Sequence, residues 1–226
     1  MKTYPDELAK VRLAVDVVVF TYDEDKLKVL LIRRQQVPYA GRPALPGGFL
    51  WATETTAQAA ARILHDKAGV TGVFTEQLFT FDAPKRDPRG RVVSVTYYAL
   101  VPSAELRLEP GIASQAPALH AVDDSGKLAF DHSSIVDYAA ERLRSKLAYT
   151  NAAYSLLPER FTFSQLQQLY EVVLDRSLDK RNFRKKYLSL GLIEPTKEQL
   201  SGGRHRPAQL YRFVTRRPIE LPAPAF

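Results

Sequence analysis

The stretch "GGFLWATETTAQAAARILHDKAGV", Gly47 to Val70, decides how the first two-thirds of the chain is read. Two glycines enter a polar loop carrying Glu54, and an alanine-rich segment closed by Gly69 follows. Alanine costs little on entering a helix, and glycine readily adopts the left-handed backbone that ends one, so the composition predicts a helix over Thr53–Ala68. Positions 63, 66 and 67 are three and four residues apart and share one face of that helix. They hold Ile63, Asp66 and Lys67. One carboxylate beside an apolar chain and an ammonium is a poor cage for a divalent cation, which takes oxygen ligands.

The spacing of this stretch resembles the Nudix hydrolase box: glycine, five residues, glutamate, seven residues, then Arg-Glu-apolar-x-Glu-Glu-x-Gly-apolar. Gly48, Glu54, Arg62, Leu64, Gly69 and Val70 match in register, while Ile63, Asp66 and Lys67 stand where the pattern has glutamates. The resemblance implies a Nudix-fold α/β/α sandwich with a mixed sheet. In the intact family the carboxylate face holds magnesium, which bridges a diphosphate and activates water. The departures imply a pocket that binds its ligand without a metal and without hydrolysis. Lys67 either neutralises a diphosphate directly or pairs with Asp66 and solvent.

The flanks extend the likeness. "RRQQVPYAGRPALPGGF" and "FDAPKRDPRGRVVSVTYYAL" resemble the segments around the box in the ADP-ribose pyrophosphatase branch. Arginine's forked donors bind two phosphate oxygens at once, which suits Arg34, Arg86 and Arg89. Phe49 or Phe81 offers a ring for adenine, although a single aromatic at either position is more often a core residue. The candidate ligand residues are therefore Arg34, Gly47, Gly48, Phe49, Glu54, Arg62, Asp66, Lys67, Phe81, Arg86 and Arg89.

Around the box the pattern is α/β. "VRLAVDVVVFTY" (Val11–Tyr22) and "LKVLLIRR" (Leu27–Arg34) are β-branched runs separated by a polar turn, and a Pro/Gly-rich loop follows. "TEQLFTFDAP" and "RVVSVTYYALVP" read as strands, and "GIASQAPALHAVDD" as loop and edge strand. Ser133–Leu156 reads as one helix bridging two domains, with Pro158 breaking it. The expected division is residues 1–148 and residues 149–226.

Composition bounds the function. The chain is 45% hydrophobic and 25% charged, an ordinary globular balance. No apolar run approaches the roughly 20 residues of a membrane span, and the N-terminus lacks a secretory core, so no membrane partner is expected. The absence of cysteine removes disulfides and thiolate metal sites and fits a cytoplasmic protein. Four histidines scattered singly argue against a zinc centre. The net charge of +7 is uneven: residues 1–149 hold 19 basic and 18 acidic side chains, residues 150–226 hold 13 and 7. A basic excess confined to the last third fits a polyanion partner or, equally on charge alone, a solvated basic surface.

That last third orders as helix, turn, helix, hairpin. In "FSQLQQLYEVVL" the apolar residues 163, 166, 169, 170, 173 and 174 follow a helical period. "LDKRNFRKKYLSLGLI" gives a second helix with Asp179 as N-cap, Gly191 as stop and an apolar stripe of Phe183, Tyr187 and Leu190. The order is that of a winged helix-turn-helix, whose second helix enters the major groove. Lys180, Arg181, Asn182, Arg184 and Lys185 supply phosphate and base contacts, and Arg204, His205 and Arg206 form the wing tip. "SLDKRNFRKKYLSLGL" and "RPAQLYRF", following the degenerate box, resemble the Nudix-related transcriptional regulators (the NrtR family). The resemblance implies a homodimeric repressor of NAD-metabolism genes that binds double-stranded operator DNA. It implies ADP-ribose or a related nucleotide as effector, with no other cofactor. The competing reading is an active Nudix hydrolase with a basic accessory domain.

Overall fold

The β-branched runs form the hairpin at the centre of a sheet. In the computed structural model, which describes residues 10–106, 108, 115–200 and 207–221, β1 spans Arg12–Asp23 and β2 spans Lys26–Arg33. Glu24 and Asp25 between them both take left-handed backbone, the geometry of a two-residue hairpin turn. Val15 and Val17–Phe20 of β1 are fully buried, as a run of branched apolar residues requires.

The Pro/Gly-rich loop contributes two short strands that its sequence pattern does not announce. β3 (Pro43–Ala44) pairs antiparallel with β2, and β4 (Gly47–Phe49) pairs antiparallel with β1, Asp16 opposite Gly47. Helix α1 (Thr56–Ala68) follows, three residues shorter at its start than the composition suggests. Its true start is set by a capping box: Thr55 accepts from the Gln58 N–H, and Gln58 accepts from the Thr55 N–H. Gly69 ends it with φ of 64°. β5 (Phe74–Phe81), β6 (Val92–Leu100) and β7 (Gln115–Ala121) complete a seven-stranded mixed sheet of order β3-β2-β1-β6-β5, with β4 on β1 and β7 on β2.

Helix α2 spans His132–Tyr149 and stops well before Leu156. The expected single helix is corrected here, and Pro158 is not what ends it. Thr150 folds its N–H and its hydroxyl back to the Lys146 carbonyl and bridges to Glu220. A 3-10 turn, Ala152–Ser155, comes next. The backbone is drawn out of the helix by pairing with a segment some seventy positions away, which no local signal encodes.

The C-terminal part builds a second sheet, β8 (Phe161–Thr162), β10 (Ala208–Phe213) and β9 (Ile193–Leu200) in that order, all antiparallel. Helices α3 (Phe163–Leu174) and α4 (Lys180–Ser189) stand where the periodicity puts them. Phe163, Tyr170, Phe183 and Tyr187 interlock as a ring cluster with centroids 5.4–6.4 Å apart. Asp179 caps α4 by accepting from the Asn182 N–H. Compact units divide the chain as Met1–Val19, Val29–Ala99 and Leu106–Ala139 in one, and Phe20–Lys28, Leu100–Glu105 and Ala140–Phe226 in the other. Among the described residues no helix is long and apolar enough to cross a membrane.

Candidate ligand pocket and nucleic-acid interface

In the first unit β1, β2, β4, the loop between β5 and β6 and the start of α2 enclose a cavity of about 240 Å³. Six candidates from the sequence line it: Arg34, Gly47, Gly48, Phe49, Arg86 and Arg89. Glu54, Arg62, Asp66, Lys67 and Phe81 are not among its lining residues.

The three arginines differ in what holds them. Arg86, 9% exposed, makes a forked pair with Asp131 at 2.8 and 2.7 Å and reaches Asp16 at 3.5 Å. Burial alone would lower its affinity for the proton, but Asp131 and Asp16 outweigh that and raise its pKa. Arg89 grips Asp87 with two nitrogens, at 3.0 and 2.7 Å. That pairing raises the arginine's pKa; for Asp87 it overcomes burial and lowers the carboxyl's. Arg34 donates only to carbonyls, Pro38 at 2.9 Å and Gln36 at 3.4 Å, and has no carboxylate partner among the described residues. Its pKa is pushed down by burial and then by the neighbouring Arg89 charge. Asp87 and Asp16 act on this half-buried guanidinium only through space, without contact, so it keeps donors to offer an anion.

Rings complete the wall. Phe130 holds left-handed backbone at φ 55°, with Arg34 4.6 Å and Arg89 5.4 Å from its centroid. Arg89 also lies 5.4 Å from the Phe49 ring. Phe81 instead packs on Phe79 and Tyr138, at 5.5 and 5.9 Å. Sequence reading missed Asp16, Asp87, Phe130 and His132, all of which line the cavity. One signal was available: Asp16 is the lone acid inside the apolar run of β1.

Around the box helix, Glu54 and Arg62 close on each other. Arg62 donates to both carboxylate oxygens at 2.9 and 2.6 Å, the Trp51 N–H donates to Glu54 at 2.9 Å, and the guanidinium lies 3.9 Å over the Trp51 ring. The Arg62 hydrogen bond is the main cause that lowers the Glu54 pKa. Ile63 is 2% exposed, and Asp66 is exposed and paired with His65 at 3.0 Å. Ile63, Asp66 and Lys67 therefore do not fit a divalent cation, and no cluster of three or more His, Asp or Glu fit to hold one occurs among the described residues.

On the second unit, α4 carries Lys180, Arg181, Arg184, Lys185 and Lys186 within ten residues and no acid. Lys180, Arg181, Asn182, Arg184 and Lys185 are all exposed. Arg184 is steadied, donating to the Tyr211 hydroxyl at 2.7 Å and lying 4.7 Å from the Phe163 ring. At the adjoining sheet Arg160 pairs with Glu198 and Arg212 with Glu194, while Lys197 on β9 is exposed. Among the described residues, α4 carries five basic side chains and no acid of its own. Arg204, His205 and Arg206 lie outside the described residues.

Comparison with known proteins matches both parts. The NUDIX domain profile matches residues 10–138, and the NrtR DNA-binding winged helix domain matches residues 153–213. The chain is 36% identical over 215 residues to the ADPR responsive transcriptional repressor NtrR of Acinetobacter baylyi, covering 93% of this chain and 84% of that one. Shewanella oneidensis NrtR, in a crystal structure complexed with a 27mer DNA, superposes with a TM-score of 0.80 at 35% identity, over 89% of this chain and 93% of that one. The NUDIX domain of the same protein, complexed with ADP ribose, matches with a TM-score of 0.56 at 34% identity, over 62% of this chain and 94% of that one.

Proposed function

The chain belongs to the NrtR family of Nudix-related regulators, and from that premise we infer that it is an ADP-ribose-responsive transcriptional repressor. The observation that carries the reading is Arg34: a half-buried cation in the wall of the cavity, 4.6 Å from the Phe130 ring and without a carboxylate in hydrogen-bond or ion-pair contact among the described residues. A diphosphate between two sugars supplies the missing charge, and adenine has Phe49 and Phe130 to lie against. A 240 Å³ cavity open to solvent takes part of such a ligand, with the remainder at its mouth. The repressor acts as a homodimer on cytoplasmic DNA, with NAD-metabolism genes as targets. Residues 1–148 sense and residues 149–226 bind DNA.

The Nudix domain in this reading is not a hydrolase. Purified protein with magnesium or manganese is expected to leave ADP-ribose intact when AMP and ribose 5-phosphate are followed by chromatography. Turnover of about 1 per second, ordinary for an enzyme, would establish the opposite.

Effector and operator must compete through the protein, because a ligand shifts an equilibrium only by its differential affinity for the two states. ADP-ribose is expected to weaken operator binding about tenfold, which corresponds to about 1.4 kcal/mol of coupling. Saturating operator DNA must then weaken ADP-ribose binding by the same factor in a calorimetric titration. Arg34→Ala should remove the ADP-ribose response and leave the DNA affinity of the free protein unchanged. Equal ADP-ribose affinity with and without operator would refute the sensor.

A further inference from the structure

We propose that Asp16 Oδ1 and His132 Nε2 form a subsite at the cavity wall that binds one ribose hydroxyl of the effector. The proposal rests on the nucleotide-sugar reading of the pocket and specifies which chemical group is read there.

Asp16 is a buried acid whose two oxygens are treated differently. Oδ2 accepts from the Ser94 hydroxyl at 2.6 Å and from Arg86 at 3.5 Å. Oδ1 faces His132 Nε2 at 3.8 Å, beyond hydrogen-bond reach. The other histidine nitrogen is fixed: Nδ1 accepts from the Leu45 N–H at 2.9 Å. A neutral imidazole that accepts at Nδ1 carries its proton on Nε2. Burial supports the neutral form, holding the His132 pKa below its usual value against the pull of Asp16 and Asp131. The result is an acceptor and a donor side by side, their side chains 9% and 5% exposed, both lining the cavity.

A separation of 3.8 Å is too long for a direct bond and short enough for one oxygen to bridge. An atom about 2.8 Å from each would donate to Asp16 and accept from His132. A hydroxyl does both at once. An ionised phosphate has no proton to give to a carboxylate, and an N–H group cannot accept. The subsite is therefore selective for a sugar hydroxyl over the charged parts of the same ligand.

The surroundings hold the carboxylate in this position. Gly47 lies opposite Asp16 across the β1–β4 pair, and a Cβ there would come within 2.1 Å of Asp16 Oδ1. The glycine gives Oδ1 its room. Arg86, clamped by Asp131, supports the other side of the carboxylate.

The test titrates the full-length protein by calorimetry with ADP-ribose and with analogues each lacking one ribose hydroxyl. One analogue should bind the wild type about 10- to 100-fold more weakly, the range for a hydrogen bond to a charged group. In His132→Asn, which keeps an acceptor for the Leu45 N–H and removes the Nε2 donor, that analogue and ADP-ribose should bind within about twofold of each other. Asp16→Asn should narrow the gap in the same way, and the wild-type series stands if either variant fails to fold. Equal binding of every analogue by the wild type overturns the subsite while leaving the effector reading intact. A penalty that persists undiminished in both variants does the same. Failure of ADP-ribose itself to bind overturns the effector reading and the subsite together.

Discussion

Replacing Arg181 and Lys185 together with alanine is expected to weaken binding to promoter DNA from the protein's own gene by about 100-fold at physiological salt. The magnitude follows from the charge distribution on α4. The helix is basic and without acid, and both side chains are exposed, so each is available to a phosphate or a base edge. Each phosphate contact removed should make the plot of log affinity against log salt shallower by about 0.9. Fluorescence anisotropy across a salt series reads both quantities. Arg212→Ala is the control, since Arg212 is already paired with Glu194 at 2.6 Å and should leave the slope unchanged. Arg184 is a poorer first probe. It supports the fold through Tyr211 and Phe163 as well as facing outward, so its removal mixes packing with recognition. Unchanged affinity and slope in the double variant would remove α4 from the DNA interface.

The winged-helix half was legible because its signals are local. Asp179 caps α4 as read, and of the two apolar stripes residues 163, 166, 169, 170, 173, 183 and 187 are buried while Leu174 and Leu190 are only half-buried. The box helix was legible for the same reason, from an alanine-rich body and a left-handed Gly69. Strands β3 and β4 were not. They carry no periodicity of their own and exist because β2 and β1 offer them pairing partners. The end of α2 at Tyr149 depends on Glu220, equally remote. The pocket divides along the same line. Arg34, Arg86 and Arg89 could be named from residue chemistry; the partner of Arg89, Asp87, is two residues away in the sequence, whereas the partner of Arg86, Asp131, is brought to it only by folding. His132 looked like one histidine among scattered ones until β1 set Asp16 beside it.

Reintroducing a carboxylate at the box helix, Ile63→Glu, is expected to cost about 3–5 kcal/mol of stability near neutral pH. Ile63 is 2% exposed, and its Cδ1 reaches within 3.9 Å of where a Gly48 side chain would begin. A glutamate there gives up hydration on burial, so its pKa in the folded state rises above the unfolded value of about 4.3. The sign follows from proton binding. A raised folded pKa means stability is lost as pH rises from the unfolded pKa through the folded one, so the deficit against wild type should be smaller at pH 5 than at pH 8. Lys67→Glu, on the half-exposed part of the same face, should change stability by less than about 0.5 kcal/mol. At about 2–4 °C per kcal/mol for a chain of this size, Ile63→Glu should melt about 10 °C below wild type in a thermal scan. Magnesium discriminates further. A restored metal site would raise the melting temperature of the Ile63→Glu, Lys67→Glu protein with metal concentration, by about 2.7 kcal/mol at a hundredfold excess over Kd. No such rise is expected, because the position that would supply the first ligand points into the core. A double variant as stable as wild type and stabilised by magnesium would mean that this face still opens to solvent. The box would then be two substitutions from a metal site, and the non-hydrolytic assignment would rest on ligand identity alone.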